Sequence, residues 1–264
     1  MITTSTTYAI RVDGHLDDHW SERLAGLTIA RNGDGTSTLT GPVADQAQLH
    51  GVLAGLRDIA ATVLDLRAAP AHRPVLEYPL HTSRLTLRSA RAEDADSTWR
   101  YRQLESVTEW LTGQPAGIDS HRERFTDPAR LATTLVVHLG PTSSSEVIGD
   151  LTLRREDAWA QLEVADEARA VQAELGWVFD PAHTRRGYAT EAVRELLRHC
   201  FEDLGLRRVT AACFLDNEAS WRVMERVGMR RELYAVRDAL HRSGRWVDSV
   251  SYAVLVEEWD QARA

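Results

Sequence analysis

The 264-residue chain contains no lysine: all 31 of its basic residues are arginine. A P-loop sets a lysine on the β- and γ-phosphates, a protein kinase needs a strand lysine on its nucleotide, and a pyridoxal-phosphate enzyme holds its cofactor through a lysine imine. Counting excludes all three chemistries. Arginine replaces lysine as a surface charge, so the bias reads as genomic composition rather than function. Cysteine is nearly as scarce. The two thiols, Cys200 and Cys213, lie in apolar stretches outside any CxxC or Cys/His spacing and read as buried groups in a reducing, cytoplasmic setting. The ten histidines show no paired ligand spacing, so no metal is expected. No apolar run approaches the length of a membrane span, and Met1-Ile2-Thr3-Thr4 lacks the basic segment and apolar core of an export signal.

What is present is the composition of a globular protein, 43% hydrophobic and 27% charged, which excludes disordered, collagen-like and disulfide-scaffold classes. A net charge of −8 argues against a general binder of nucleic-acid backbones and mildly favours cationic small partners. Two prolines and three alanines in Ala68-Ala69-Pro70-Ala71-His72-Arg73-Pro74 continue neither helix nor strand. They set a domain boundary near residues 68 to 78, between a domain at 1–70 and one at 79–264.

In the first domain Tyr8, Ile10 and Val12 alternate as in a half-buried strand, and helical material follows at Asp17 to Leu24. Leu27 to Arg31 and Thr36 to Thr40 flank the hairpin turn Asn32-Gly33-Asp34-Gly35. Leu49, Val52, Leu53, Leu56 and Ile59 then form an amphipathic stripe behind Asp45, and Thr62 to Arg67 closes with β-type residues. The order βαββαβ is the split, ferredoxin-like arrangement. With no Phe and no basic aromatic strand, it reads as an interaction or dimerisation module rather than an RNA binder.

The second domain opens with a strand around Leu80, Leu85 and Leu87, then helical material from Asp94 to Trp110. Thr134 to Leu139 and Glu146 to Leu153 read as strands joined by the turn Gly140-Pro141-Thr142-Ser143-Ser144-Ser145. A polar loop from Arg155 to Gln172 precedes a strand at Ala173 to Phe179. Next, His183-Thr184-Arg185-Arg186-Gly187-Tyr188-Ala189-Thr190 leads into Ala189, Ala192, Val193, Leu196, Leu197, Cys200, Phe201 and Leu204, one apolar helix face. A strand, a tight glycine loop and a helix N-terminus make an anion site, because free backbone N–H groups and the positive end of the dipole converge there. An ordinary left-handed turn capping a buried helix remains the alternative. Arg208 to Phe214 reads as a buried strand. Asp216-Asn217-Glu218-Ala219-Ser220 opens a second capped helix that ends at Val227-Gly228-Met229, before a hairpin turning near Arg242-Ser243-Gly244 into Trp246 to Leu255.

Over residues 79–259 these segments resemble the GNAT acyl-CoA acetyltransferases, and within them the branch of ribosomal-protein N-terminal acetyltransferases. Four motifs in order carry the resemblance: Leu80-His81-Thr82-Ser83-Arg84-Leu85-Thr86-Leu87-Arg88, Glu174-Leu175-Gly176-Trp177-Val178-Phe179, Arg186-Gly187-Tyr188-Ala189-Thr190-Glu191-Ala192, and Asp216 to Met229. One departure is Thr184, where the family loop often begins with Gln or Arg. The resemblance implies an α/β (α+β) fold, with a central mixed, mostly antiparallel sheet following the ferredoxin-like domain.

It also implies acetyl-CoA as acyl donor, with its pyrophosphate on the loop Thr184, Arg185, Arg186, Gly187, Tyr188, Ala189 and Thr190. The pantetheine arm would run beside Trp177, Val178 and Phe179, bonded by Asn217, with Ser220 near the sulfur. An amine attacks the thioester directly, and a strand N–H near Trp177 or Val178 would steady the carbonyl oxygen. Glu174 is the candidate base and Ser220 the candidate acid for the departing thiolate; a solvated strand-end charge and a cap residue are the plainer readings. Tyr188 packs on cofactor or core rather than acting as the acid. Trp99, Glu109, Trp110, Trp246 and Asp248 come from segments that line the amine side in this family. An N-terminal amine, with a pKa of about 7.7 to 8.0 against about 10.4 for lysine, needs the least help to become neutral. The expected activity is N-acetyl transfer to a primary amine, a protein or peptide N-terminus favoured. A small-molecule amine, antibiotics included, and a catalytically idle acyl-CoA sensor are the alternatives; a homodimer is left open, and no nucleic-acid or membrane partner is expected.

Overall fold

The computed structural model describes residues 6–261 apart from 18, 33, 69–74, 143 and 144. Met1–Thr4, most of the proline-alanine stretch, Gly33 and Ser143-Ser144 therefore lie outside the described residues. The chain divides into two compact units, Met1–Arg73 and Pro74–Ala264.

In the first unit the elements run β1 (Thr6–Asp13), α1 (Trp20–Arg23), β2 (Thr28–Arg31), β3 (Thr36–Val43), α2 (Gln46–Asp58) and β4 (Val63–Ala68). The sheet order is β2-β3-β1-β4, with every pairing antiparallel. Asp45 caps α2 by accepting from the Gln48 amide at 2.8 Å. The α2 stripe buries Leu49, Val52 and Leu56 against Ile10, Val12, Leu27 and Leu39, and Leu53 and Ile59 are partly buried beside them. The first helix is a single turn rather than the eight residues its pattern suggested. Ala25 and Gly26 both adopt positive φ, 59° and 74°, and reverse the chain immediately.

In the second unit β5 (Leu80–His81) and β6 (Leu85–Ser89) precede four short helices, α3 (Ala95–Arg102), α4 (Glu105–Thr108), α5 (Ile118–Phe125) and α6 (Pro128–Leu131). Then come β7 (Thr134–Leu139), β8 (Val147–Glu156), β9 (Gln172–Phe179), α7 (Tyr188–Arg198), β10 (Arg208–Phe214), α8 (Glu218–Arg226), β11 (Arg230–Leu240), β12 (Trp246–Leu255) and α9 (Val256–Gln261). The eight-stranded sheet has the order β11-β12-β10-β9-β8-β7-β6-β5, and only β9 and β10 are parallel. The helical material expected from Asp94 to Trp110 forms two helices, parted where Leu104 is extended, at φ −69° and ψ 136°. The Arg155–Gln172 segment is built rather than open. β8 continues to Glu156, a 3-10 turn covers Leu162–Ala168, and the Asp157 carboxylate accepts from the Ala170 amide at 2.7 Å.

Alternation along the central strands gives the sheet two unlike faces. Leu151, Leu153, Ala173 and Leu175 face α7, whose Ala192, Val193, Leu196 and Leu197 are fully buried. Burying Val193, Leu196 and Leu197 contributes on the order of 5 to 9 kcal/mol, an upper estimate. After Arg198 the helix widens into a π turn at His199–Asp203, so the predicted long helix is α-helical only in its first three turns. The other face carries Asp150, Thr152 and Arg154 of β8 and Glu174, Gly176 and Val178 of β9, with α3 packed over it through Tyr101.

Candidate functional site

β9 and β10 pair only from Gln172 to Glu174, opposite Arg208 to Thr210; beyond that the two strands separate. Every second residue of Leu175–Phe179 therefore turns its N–H and C=O into the gap. Gly149 lets β8 and β9 close behind it, since a Cβ there would sit 2.7 Å from the Phe179 ring and 2.8 Å from the Val178 carbonyl.

A groove of about 1210 Å³ lies at the end of β9, walled by Phe179, the 183–190 loop, the first turns of α7 and the start of α8. Gly187 caps α7 at φ 80°, with Arg185 also left-handed at 61°. Left-handed residues so close together turn successive amides toward one side, the geometry of an anion-binding concavity at a helix N-terminus. Thr184, Arg185, Gly187, Tyr188, Ala189 and Thr190 line the groove. Arg186 is not among its lining residues; its carbonyl accepts from Arg84 Nη1 at 3.0 Å. Arg84 also bonds Glu191 (Nε to Oε2, 2.7 Å) and lies 4.6 Å above the Tyr188 ring. Burial would raise the Glu191 carboxyl, but hydrogen bonds from Thr82 and Arg84 outweigh it and hold the group below the ordinary glutamate value. This clamp ties β5–β6 to the loop, and the sequence reading missed it. Arg84 and Glu191 each stand within a motif quoted above, but 107 residues separate them.

On the other side of the gap is a second cavity, of about 600 Å³, lined by Glu174, Gly176, Trp177, Val178, Asn217 and Ser220 together with Trp110, Cys213 and a set of arginines. Consecutive residues divide between the two cavities: Val178 from Phe179 on β9, Ala219 from Ser220 on α8. Asn217 caps α8, its carboxamide oxygen accepting from the Ser220 amide at 3.3 Å, which leaves its NH₂ to donate. Burial pushes the Cys213 thiol up to about 11, offset in part by hydrogen bonds from the Ser220 hydroxyl and the Trp221 amide. Ser220 Oγ thus sits beside Cys213, which is half-buried at this cavity, not enclosed as expected; Cys200 is enclosed. The Glu174 carboxylate is ion-paired with Arg154, directly across the β8–β9 ladder.

Of the five expected amine-side residues, Trp110 lines this cavity. Trp99 stacks with His121 at 5.3 Å. The Glu109 carbonyl is bonded to His241 of the β11–β12 turn at 3.0 Å, Trp246 is exposed, and Asp248 is spent on the β11 bulge, accepting from Tyr234 and from the Arg237 amide. At the cavity floor, Asp150 accepts from Tyr101 at 2.7 Å and Arg102 at 2.9 Å. Burial and the adjacent carboxylate hold the Tyr101 phenol well above its usual value, so it stays a donor. Among the described residues no three His, Cys, Asp or Glu groups are placed to hold a metal ion, and no helix is long and apolar enough to cross a membrane.

Residues 84–230 match the family profile described as the acetyltransferase (GNAT) domain, and residues 7–67 match one described as a domain of unknown function. The chain is 40% identical over 87 residues to the uncharacterized N-acetyltransferase YnaD of Bacillus subtilis, covering 33% of this chain and 51% of that protein. It is 37% identical over 89 residues to the putative ribosomal N-acetyltransferase YdaF of the same organism, covering 34% of this chain and 48% of that one. The chain thus spans about half the length of these curated relatives. Among solved structures, Mycobacterium smegmatis RimJ in complex with CoA-disulfide superposes with a TM-score of 0.55 at 25% identity, over 70% of this chain and 91% of that one.

Proposed function

Because this chain belongs to the GNAT acetyltransferase family, we propose that it transfers acetyl from acetyl-CoA to an amine, with a protein or peptide N-terminus as acceptor. The observation that carries this reading is the pair of cavities whose linings divide consecutive residues of β9 and α8 beside the β9–β10 gap, one with a left-handed loop at a helix N-terminus and one lined by proton-transfer groups. The residues of the first fit coenzyme A. The Thr184–Thr190 loop offers backbone amides to a pyrophosphate, and Arg185, Arg194 and Arg226 on the same wall supply charge for a further phosphate.

Trp177, Val178 and Phe179 flank the pantetheine path, and the Asn217 NH₂ donates to it. A β9 amide in the gap steadies the charge that grows on the thioester carbonyl oxygen. The amine nitrogen attacks that carbon, the C–N bond forms, the C–S bond breaks, and Ser220 Oγ–H passes its proton to the departing sulfur. Glu174, held by Arg154, takes the proton released by the amine, directly or through water, and that proton returns through water to the Ser220 oxygen. The unpaired thiols and bacterial relatives fit a cytoplasmic setting. Support for a protein acceptor comes from the likeness to YdaF, named a putative ribosomal N-acetyltransferase, and for its N-terminus from the low intrinsic pKa of an α-amine.

The test is calorimetric titration of acetyl-CoA into the full chain, followed by thiol release with peptide N-termini and a set of small amines. Micromolar binding with release on peptides supports the reading. Release with small amines alone overturns the acceptor, and binding without release from any amine makes the protein a sensor.

A further inference from the structure

The second cavity holds more positive charge than acetyl transfer to a bare amine requires. Four arginines line it, Arg102, Arg124, Arg130 and Arg154, against two carboxylates, Asp150 and Glu174. Arg102 is neutralised by Asp150 and Arg154 by Glu174. Among the described residues, neither Arg124 nor Arg130 has a carboxylate or carbonyl partner for its guanidinium, and Arg130 Nε is buried without a hydrogen bond. Burial first, then the neighbouring Arg102 and Arg124 charges, hold Arg130 below the ordinary arginine value, with Asp150 opposing. Its guanidinium carbon lies 6.0 Å from the Phe125 ring centroid, a weak contact that neutralises no charge, and a half-buried guanidinium without an anionic partner among like charges is unfavourable unless an anion arrives to join it.

The seat for that anion is built. Gly113 has no side chain where Arg124 lies, and a Cβ there would stand 2.5 Å from Arg124 Nη2. Across the sheet, Thr134, Thr152 and Gly176 form one row, so the cavity floor is low and polar from β7 to the β9 edge. That row covers two strand spacings, roughly 10 Å, between the arginine end and the gap where acetyl would be delivered.

From this we infer that the acceptor is an acidic amine, one whose nitrogen lies several bonds from a carboxylate or phosphate that Arg124 and Arg130 bind. The inference rests on the acetyltransferase reading and narrows it. Guanidinium groups recognise such anions through paired hydrogen bonds. The span of the row suits an acidic side chain at the second or third position of a peptide N-terminus better than the carboxylate of a free amino acid. Polycationic small amines are repelled, so the overall charge of −8, which by itself favoured cationic partners, is reversed locally.

The experiment compares C-terminally amidated peptides beginning Ser-Glu-Glu and Ser-Gln-Gln, with free glutamate as a third probe, by calorimetric binding to the CoA-loaded full chain and by thiol release. The acidic peptide should bind at least tenfold more tightly than the amide peptide. Arg124→Gln, on an exposed helix position, should cut that preference to less than threefold, and Arg130→Gln should abolish it. Equal binding of the two peptides, or a preference untouched by Arg124→Gln, overturns the inference even if both are acetylated. Tighter binding of free glutamate assigns the site to a small acidic amine. Preferential binding of the acidic peptide without thiol release leaves the anion site standing and sinks the transferase reading instead.

Discussion

The two cavities on either side of the β9–β10 gap are held in different ways. The groove at the start of α7 is made of backbone: a left-handed glycine, a loop of amides and the first turn of α7, clamped from outside by Arg84 and Glu191. The second cavity is made of charged side chains from α3, α5, α6, β8 and β9, resting on a buried carboxylate, Asp150. Backbone sites are cheap to fold and fail by losing ligand; sites on buried charge are tied to the stability of the fold. Variants in the two cavities should therefore separate binding from stability.

The largest effect is expected at Asp150. Its side chain is 2% exposed and bonds Tyr101 and Arg102, so Asp150→Ala leaves a buried guanidinium without its partner and should cost about 3 to 5 kcal/mol of unfolding free energy. Urea unfolding measures it; a loss below about 1 kcal/mol would put the second cavity in the same class as the groove. Next is the pH response of His121, on α5 beside Arg102 and Arg130. Burial, then those two charges, lower its pKa to about 4. The unfolded chain binds a proton near the usual value of about 6.5 and the folded one does not, so stability is full above pH 6.5 and declines by up to roughly 3 kcal/mol as pH falls toward 4. Unfolding curves at either end of that window check the sign, which a charged native His121 would invert.

Gly187→Asp probes the groove. It sets a Cβ at φ 80°, 3.5 Å from Arg84 Nη2, and a negative charge where phosphates are proposed to bind. Acetyl-CoA affinity should fall at least tenfold, about 1.4 kcal/mol, while unfolding free energy changes by only about 1 kcal/mol, because Asp tolerates the left-handed region better than most residues. Unchanged affinity with a collapsed Tm would reverse the contrast between the cavities.

The same contrast explains what was legible in the sequence. The groove is written in contiguous residues, 183 to 190, whose turn chemistry and helix periodicity are local, so the loop, the Asn217 cap and the α7 face could be read directly. The second cavity was not readable because Arg102, Arg124 and Arg130 carry no spacing signal. They meet only after α3, α5 and α6 fold over the polar face of β8 and β9. The alternation of β8, Asp150-Leu151-Thr152-Leu153-Arg154, did contain a clue, since a central strand with an aspartate in its polar row needs a buried cation. The expected amine-side residues Trp99, Trp246 and Asp248 do not line the second cavity, because a ring contact with His121 and a β-bulge decide the direction of Trp99 and Asp248.

Ser220 tests the boundary between the two cavities, and its effect should be the smallest. A thiolate is already a good leaving group at neutral pH, its parent thiol having a pKa of about 8.5, so a proton from Ser220 accelerates its departure only modestly. Ser220→Ala should lower kcat less than tenfold, about 1 kcal/mol, and leave acetyl-CoA affinity unchanged, since the Asn217 cap engages the Ser220 backbone amide, which the variant retains. A second readout separates this role from a capping one. The Ser220 hydroxyl holds the Cys213 thiol below where burial alone would put it, so its removal should raise Cys213 further from about 11 and slow alkylation of that thiol. Slower alkylation with an unaltered kcat would confirm the contact and remove Ser220 from the chemistry; a lowered kcat at unchanged affinity would keep it there.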